Sequence, residues 1–294
     1  MSSRFGPVMI WSVAFAIFVF MLLTPLATVS AVFMMVPILV IGMLVPPRKA
    51  FMILGLITAT ASVVFGFGVL LIVLLFGIPA LAILFQYRKK SDARAAISSG
   101  IIAMVGMLLL LYVSVSAAGI NLTVETTALL EQNWAQLPGV VQEELPLNEM
   151  AQRVVDLIPY GIIVFSFFFV SVSHTIARRI LSRQDIHVAK LPPIEQWRLP
   201  RSLVWLYVLV IIASIMISPE SDGWMQMVVW NGLPLLMTAF AVQAISFLVF
   251  VGRNKRWGKV LPIFAVLLFF VLPQVVSLIG IFDIAFPIRK RFKS

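Results

Sequence analysis

The chain of 294 residues contains no cysteine, only two histidines, and charged side chains at just 12% of its positions. The first absence excludes disulfides, thiolate metal sites and cysteine nucleophiles, and leaves the redox compartment unreadable. The second leaves little to hold a metal. Neither His174 nor His187 has a second histidine or a carboxylate four residues on to complete a ligating helix face, so no metal is expected. The third, with 61% hydrophobic residues and a mean hydropathy of +1.06, leaves too few polar side chains to cover a soluble globule of this size. The bilayer must be the solvent for most of the surface.

Catalytic signatures are missing as well. There is no Walker A sequence, no Gly-x-Ser-x-Gly elbow, no His-Glu-x-x-His and no Gly-x-Gly-x-x-Gly after a strand. No enzymatic activity and no cofactor are expected, and any ATPase serving this protein must be a separate chain. Buried charge is too scarce for a proton-relay pump. No repeat relates the two halves in the manner of inverted-topology transporters.

What is present is a series of long apolar runs. A membrane helix needs about 20 apolar residues, with roughly 17 as the lower limit. Runs 8–45 and 50–87 are each long enough for two, with turns expected at Thr24 and Pro25 in the first and over 65–68 in the second. Single spans are expected over 95–119, 154–177, 202–218 and 224–251. The run from Val8 reads as a first membrane helix rather than a cleaved signal, since a second apolar run follows it directly. The predicted fold is all-α: a polytopic integral membrane helix bundle, a single transmembrane domain over 1–294, with eight spans plus a final bent, re-entrant or ninth segment over 260–288.

Charge sets the expected orientation. The net charge of +10 comes from Lys and Arg at the ends of apolar segments, at Arg48 and Lys49, over 88–94, over 178–201 and over 253–259. That distribution fits anionic inner-leaflet lipid and not nucleic acid, which would need one continuous basic face. Placing these loops in the cytoplasm of a bacterial inner membrane puts Glu125, Glu131, Glu143, Glu144, Glu149, Glu220 and Asp222 outside, with Arg153 the one cation among them. The last run creates a conflict. After the inner loop at 253–259, one crossing would carry Arg289, Lys290, Arg291 and Lys293 outside, while two crossings need about 40 residues, more than 260–288 supplies. Pro262, Pro273, Gly280 and Pro287 favour a bent segment that returns inside.

Residues 120–153 form the one sizeable segment beyond the membrane plane. Leu130, Trp134 and Leu137 mark an amphipathic helix that Pro138 and Gly139 should stop, and Leu147, Met150, Val154 and Ile158 mark a second. The pair can lie on the outer surface or act as a lid over an outward-facing cavity.

Few residues inside the apolar runs could carry chemistry. Asp283 could be a cation site, a proton acceptor or a partner for a nearby arginine; at headgroup level it would pair with Arg289 and Lys290. Gln226, Asn231, Gln243 and Gln274 are amides in hydrocarbon, which must bond across a helix interface or to a ligand. Over 231–234, Asn231, Gly232 and Pro234 suggest a locally broken helix lining a cavity, or else a proline kink with Asn231 bonded to a neighbouring helix. Asp156 suits a helix N-terminus. Thr58, Thr60 and Ser62 read as interface glue. The small-residue pairs Ala27/Ala31, Gly55/Ala59, Ser62/Gly66 and Ala96/Gly100 read as helix-packing faces.

Two stretches carry a resemblance. The first is the segment LPPIEQWRLPR over 191–201 followed by Leu203, Val204 and Trp205, in which Trp197, Arg198 and Arg201 suit the lipid interface. The second is Gly280, Ile281, Phe282 and Asp283 with the basic tail Arg289, Lys290 and Arg291. Together they resemble the YybS-like family of uncharacterised bacterial multi-pass membrane proteins. That family is thought to be distantly similar in fold to the substrate-binding subunits of energy-coupling-factor transporters, whose small-residue docking face Ala27/Ala31 resembles. The family has no established activity, so the resemblance supplies a class only. The function expected from the residues is a membrane-embedded subunit that binds a small or lipid-like ligand between helices and works with partner proteins, a separate ATPase among them if it serves transport. Gln226, Asn231, Gln243 and Asp283 are the expected ligand contacts; Ala27, Ala31, Trp197, Arg198 and Arg201 are the expected partner or lipid contacts. The rival expectation is a scaffold or assembly factor of an envelope, division or sporulation complex.

Overall fold

A computed structural model describes residues 5–134, 146–217, 223–254, 260–286 and 289. The expected helix stop at Pro138 and Gly139, Leu137, the acidic residues Glu143, Glu144, Glu220 and Asp222, the loop 255–259, and the cations Lys290, Arg291 and Lys293 lie outside the described residues. Among those described the chain is helical and without strands: α1 (Phe5–Met21), α2 (Ala27–Phe33), α3 (Met35–Leu44), α4 (Pro47–Phe65), α5 (Gly68–Arg88), α6 (Ala93–Ala117), α7 (Leu122–Trp134), α8 (Leu147–Asp156), α9 (Ile158–Ser182), α10 (Ser202–Met216), α11 (Trp224–Asn254), α12 (Val260–Val271) and α13 (Pro273–Ala285). Six stretches are long and apolar enough to cross a membrane, with Ala27–Leu44 counting as one; α1 and α10 are apolar but shorter. An expectation of eight crossings therefore rests on those two shorter helices. Large apolar side chains such as Val63 (87% exposed) and Phe270 (81% exposed) face outward, as hydrocarbon contact requires.

The helices pack as two units. Unit 1 comprises Met1–Asn121 and Ile162–Leu191. Its centre is α3, apolar on every side and buried along almost its whole length, as an all-round apolar helix should be. The short interruption before α3 has a local cause: Pro37 has no N–H to give the carbonyl of Phe33. The C-terminal carbonyls of α3 are taken by a side chain, because Arg88 donates from Nη2 to the carbonyl of Gly42 and, at 3.1 Å, to that of Val45. Close approach needs small residues. A Cβ on Gly42 would meet Leu84 Cδ2 at 2.5 Å, and one on Gly100 would meet Ile83 at 2.6 Å and Val170 at 3.0 Å. The turn expected near 66 is real: Gly66 sits at φ +95°, a region that L side chains avoid. Asp92 caps α6 by accepting the Ala95 N–H at 2.7 Å.

Unit 2 comprises Leu122–Gly161 and Pro192–Ser294. Helices α7 and α8 pair antiparallel, with Thr123 bonded to Gln152 at 3.0 Å and Thr127 to Asn148 at 3.2 Å. The last apolar run is two short helices broken at Leu272, where Pro273 starts α13. At about 18 and 20 Å, neither can cross a hydrocarbon layer of about 30 Å. Ser277 bonds to the Met237 carbonyl at 2.9 Å and Gln243 to Asp283 at 2.5 Å, so α13 runs parallel to α11. It therefore returns toward the end of α11 that carries Arg253. Pro273 lies level with residue 233, about 14 Å short of the Trp224 end. The segment is therefore bent into a helical hairpin, and Arg289 comes back to the end of α11 from which the chain leads into α12.

Candidate functional site

Two features of the fold could have functional use. In unit 1 a cavity of about 300 Å³ opens between α1, α3, α4 and α5. Its walls are apolar, from Phe15, Ile38, Leu70 and Leu74 among others, and one strip of them is built from the small residues Gly55, Ala59 and Ser62 on α4 and Gly77 on α5. A Cβ on Gly55 or Gly77 would meet nothing within 4 Å. Small residues at Gly55/Ala59 thus face open space, whereas at Ala96/Gly100 they serve close packing as expected. Two hydroxyls mark the strip. Thr58 donates back to the Leu54 carbonyl at 2.8 Å, but the Ser62 Oγ is buried without a partner. Both were read from sequence as interface glue, and nothing local distinguishes such a hydroxyl from one that lines a void.

In unit 2, Gln243 and Asp283, both expected to meet a ligand, are joined to each other and to the chain itself. Arg289 Nε donates to Asp283 Oδ1 at 2.8 Å and Nη2 to Oδ2 at 2.5 Å, with both side chains almost fully buried. The remaining guanidinium hydrogens reach Ser246 Oγ at 3.1 Å and the Glu195 carbonyl. Gln243 gives its N–H to Asp283 and accepts the Leu199 N–H at 2.9 Å, while Ser246 lies 2.7 Å from the Ile194 carbonyl and 3.0 Å from that of Trp197. Phe247 and Phe250 stand beside the guanidinium at 5.9 and 5.5 Å from their ring centres. A buried carboxylate is tolerable here because a bidentate arginine and an amide satisfy it together.

The chain matches, over residues 10–284, the family described as "Predicted membrane protein (DUF2232)". It belongs to that family. It is also 27% identical over 225 residues to the "Uncharacterized protein YybS" of Bacillus subtilis (strain 168), covering 70% of this chain and 71% of that relative. No solved structure matches. The two stretches that resemble the YybS-like family, apart in sequence, meet in this polar cluster: the segment from Pro192 docks on α11 through Gln243 and Ser246, and Asp283 with Arg289 completes the contact from below α13.

The other expected site residues are dispersed. Asn231 lies in α11, which runs unbroken through Pro234, so the locally broken helix expected at 231–234 is not formed. The reason lies in the neighbouring backbone. Asn231 donates to the Asp156 carbonyl at 2.8 Å and accepts the Tyr160 N–H at 2.9 Å, standing in for the i to i+4 bond missing where α8 gives way to α9. Tyr160 OH adds a bond to Thr238 at 3.0 Å. Asn231→Leu would orphan both backbone groups and should cost about 1–3 kcal/mol, read as faster amide exchange at Tyr160 with α11 otherwise protected. Unchanged exchange at that amide would refute the bridging role. Gln226 is half-buried near the start of α11, Ala27 and Ala31 are half-buried on α2, and Arg198 and Arg201 are exposed beside a half-buried Trp197 whose Nε1 donates to the Pro192 carbonyl at 2.9 Å.

Proposed function

We propose that this protein is a membrane-embedded, non-catalytic subunit that binds a small apolar or lipid-like ligand in the unit 1 cavity and works with partner proteins, a separate ATPase among them if it serves transport. The observation that carries the reading is the apolar cavity, part of whose wall is cut back to the small residues Gly55, Ala59 and Gly77. Its volume of about 300 Å³ matches the lower end of small-molecule sites, enough for one hydrocarbon segment. Gln243, Asp283 and Asn231 have their polar atoms engaged by the protein, which favours the cavity over these residues as the ligand contact. In the orientation expected from the basic residues, Arg198 and Arg201 face anionic headgroups on the cytoplasmic side of the bacterial inner membrane.

Native mass spectrometry of the gently solubilised protein tests the reading. The wild type should retain a lipid-like molecule. Gly55→Leu should lose it, because Gly55 lines the cavity, a Cβ there meets nothing within 4 Å and the longer side chain takes up ligand space, while helix propensity rises by roughly 0.5–1 kcal/mol and thermal stability is kept. A wild type that carries no ligand, or a Gly55→Leu variant that carries as much, would sink the proposal. Copurification of an envelope, division or sporulation complex without ligand would favour the scaffold role instead.

A further inference from the structure

The apolar cavity of unit 1 has a direction. Its wall on α4 runs from Phe51 through Gly55 and Ala59 to Ser62, one stripe at helical spacing, and its wall on α5 runs from Leu70 through Leu74 to Leu81. From 51 to 62, and again from 70 to 81, the helix rises about 16 Å. Half of a hydrocarbon layer of about 30 Å is about 15 Å, so the cavity is as long as one leaflet is deep. Phe51, Leu74 and Ile78 on its walls are exposed, which opens it sideways into hydrocarbon rather than to water.

Both stripes lead to a cation at the same end. Three residues before Phe51, on the same face of α4, stands the exposed Arg48. Beyond Leu81 the α5 stripe continues through Phe85 to Lys89, whose Nζ lies 4.2 Å from the centre of the Phe85 ring. The turn at Gly66 sends α5 back along α4, so Arg48 and Phe85, about equally far from that turn, stand about level. Neighbouring groups of charge are already engaged: Arg88 by the carbonyls of Gly42 and Val45, and Asp92 by the Ala95 N–H. Among the described residues neither Arg48 nor Lys89 has an ion-pair partner. Arg48 also sits at the unfavourable end of α4, where the helix dipole repels a cation and neither an acidic residue in the first turn nor a side-chain cap offsets it. A negative charge between the two cations would relieve that repulsion.

We infer that the ligand of the apolar cavity is an anionic diacyl phospholipid, with one acyl chain lying along the cavity from Phe51 to Ser62 and the headgroup phosphate between Arg48 and Lys89. Two cations favour a headgroup of net negative charge over a zwitterionic one. The inference rests on the ligand-binding reading of the cavity and adds the class of ligand and the way it lies. In its test the full chain is placed in nanodiscs of equal phosphatidylglycerol and phosphatidylcholine with matched acyl chains, released into detergent, and the retained lipid is weighed by native mass spectrometry. The wild type should keep one phosphatidylglycerol in clear preference. Arg48→Gln/Lys89→Gln should still keep one lipid but lose about tenfold in preference, the loss expected for a charge-assisted contact. Both side chains are exposed, so its unfolding temperature should hold. Arg179→Gln/Arg183→Gln, which removes two exposed cations elsewhere in unit 1, should leave the preference unchanged. Equal retention of the two lipids by the wild type, an unchanged preference in the Arg48/Lys89 variant, or an equal loss in the Arg179/Arg183 variant overturns this inference while leaving an apolar ligand in the cavity. No lipid on the wild type, or the same lipid kept by Gly55→Leu, overturns the cavity reading with it.

Discussion

Asp283→Ala should unfold unit 2 at markedly lower temperature, losing about 3–5 kcal/mol, because it strands the Arg289 guanidinium in a site only 4% exposed. Arg289→Met should cost a similar amount by leaving the carboxylate unpaired. The double variant Asp283→Leu/Arg289→Met should recover most of the loss, since a buried ion pair is often replaceable by apolar side chains of similar size once both charges are gone. The cycle is read by thermal or denaturant unfolding in detergent. Additive losses in the double variant would show that the pair is not coupled. A second readout follows from the geometry. The same charges hold the backbone carbonyls of Glu195 and, through Ser246 and Gln243, those of Ile194 and Trp197, so the single variants should expose the 192–199 segment to protease before the helices unfold.

The second large effect is expected at Gly280. A Cβ there would stand 1.9 Å from the Phe240 carbonyl oxygen and 3.1 Å from the Ala244 nitrogen, both backbone atoms of α11 that cannot rotate away. Even Gly280→Ala must push α13 off α11, with a cost of about 2–3 kcal/mol or more, and Gly280→Val should displace the α12–α13 hairpin altogether. Gly106→Ala is the control. Nothing lies within 4 Å of the position, so that change should be neutral or stabilising by roughly 0.5–1 kcal/mol. Equal tolerance at both positions, measured as unfolding temperature in detergent, would rule out the α11–α13 approach. Displacement of α13 should also withdraw Arg289 from Asp283, coupling this variant to the cycle above.

Much of the architecture could be read from local chemistry. The turns at Thr24–Pro25 and Gly66, the break at Pro273, and the end of each apolar run follow from glycine or proline torsions and local side chains, which depend on near neighbours in the chain. The bend in the last apolar run was anticipated from its length, its charge and its prolines: too few residues for two crossings, cations at both ends, and Pro273 in the middle. Residue roles were less legible. Asn231 beside Pro234 left two readings open, a broken helix or a bond to a neighbouring helix, and tertiary contact decides for the second: its amide bridges a gap where α8 gives way to α9, and α11 stays continuous. Asp283 carried several readings until its partner was seen, because a carboxylate six residues before an arginine can be paired or free according to whether the intervening turn brings them together.

Membrane class, helix positions and the clustering of basic residues came from sequence by itself, since a hydrocarbon solvent dictates apolar length and leaves charge at the ends. Only the tertiary structure decided which glycines line a void, which serve close packing, and which amides are already bonded. Those are properties of the space between helices, set by residues far apart in the chain, and a void has no residues of its own to leave a mark in the sequence.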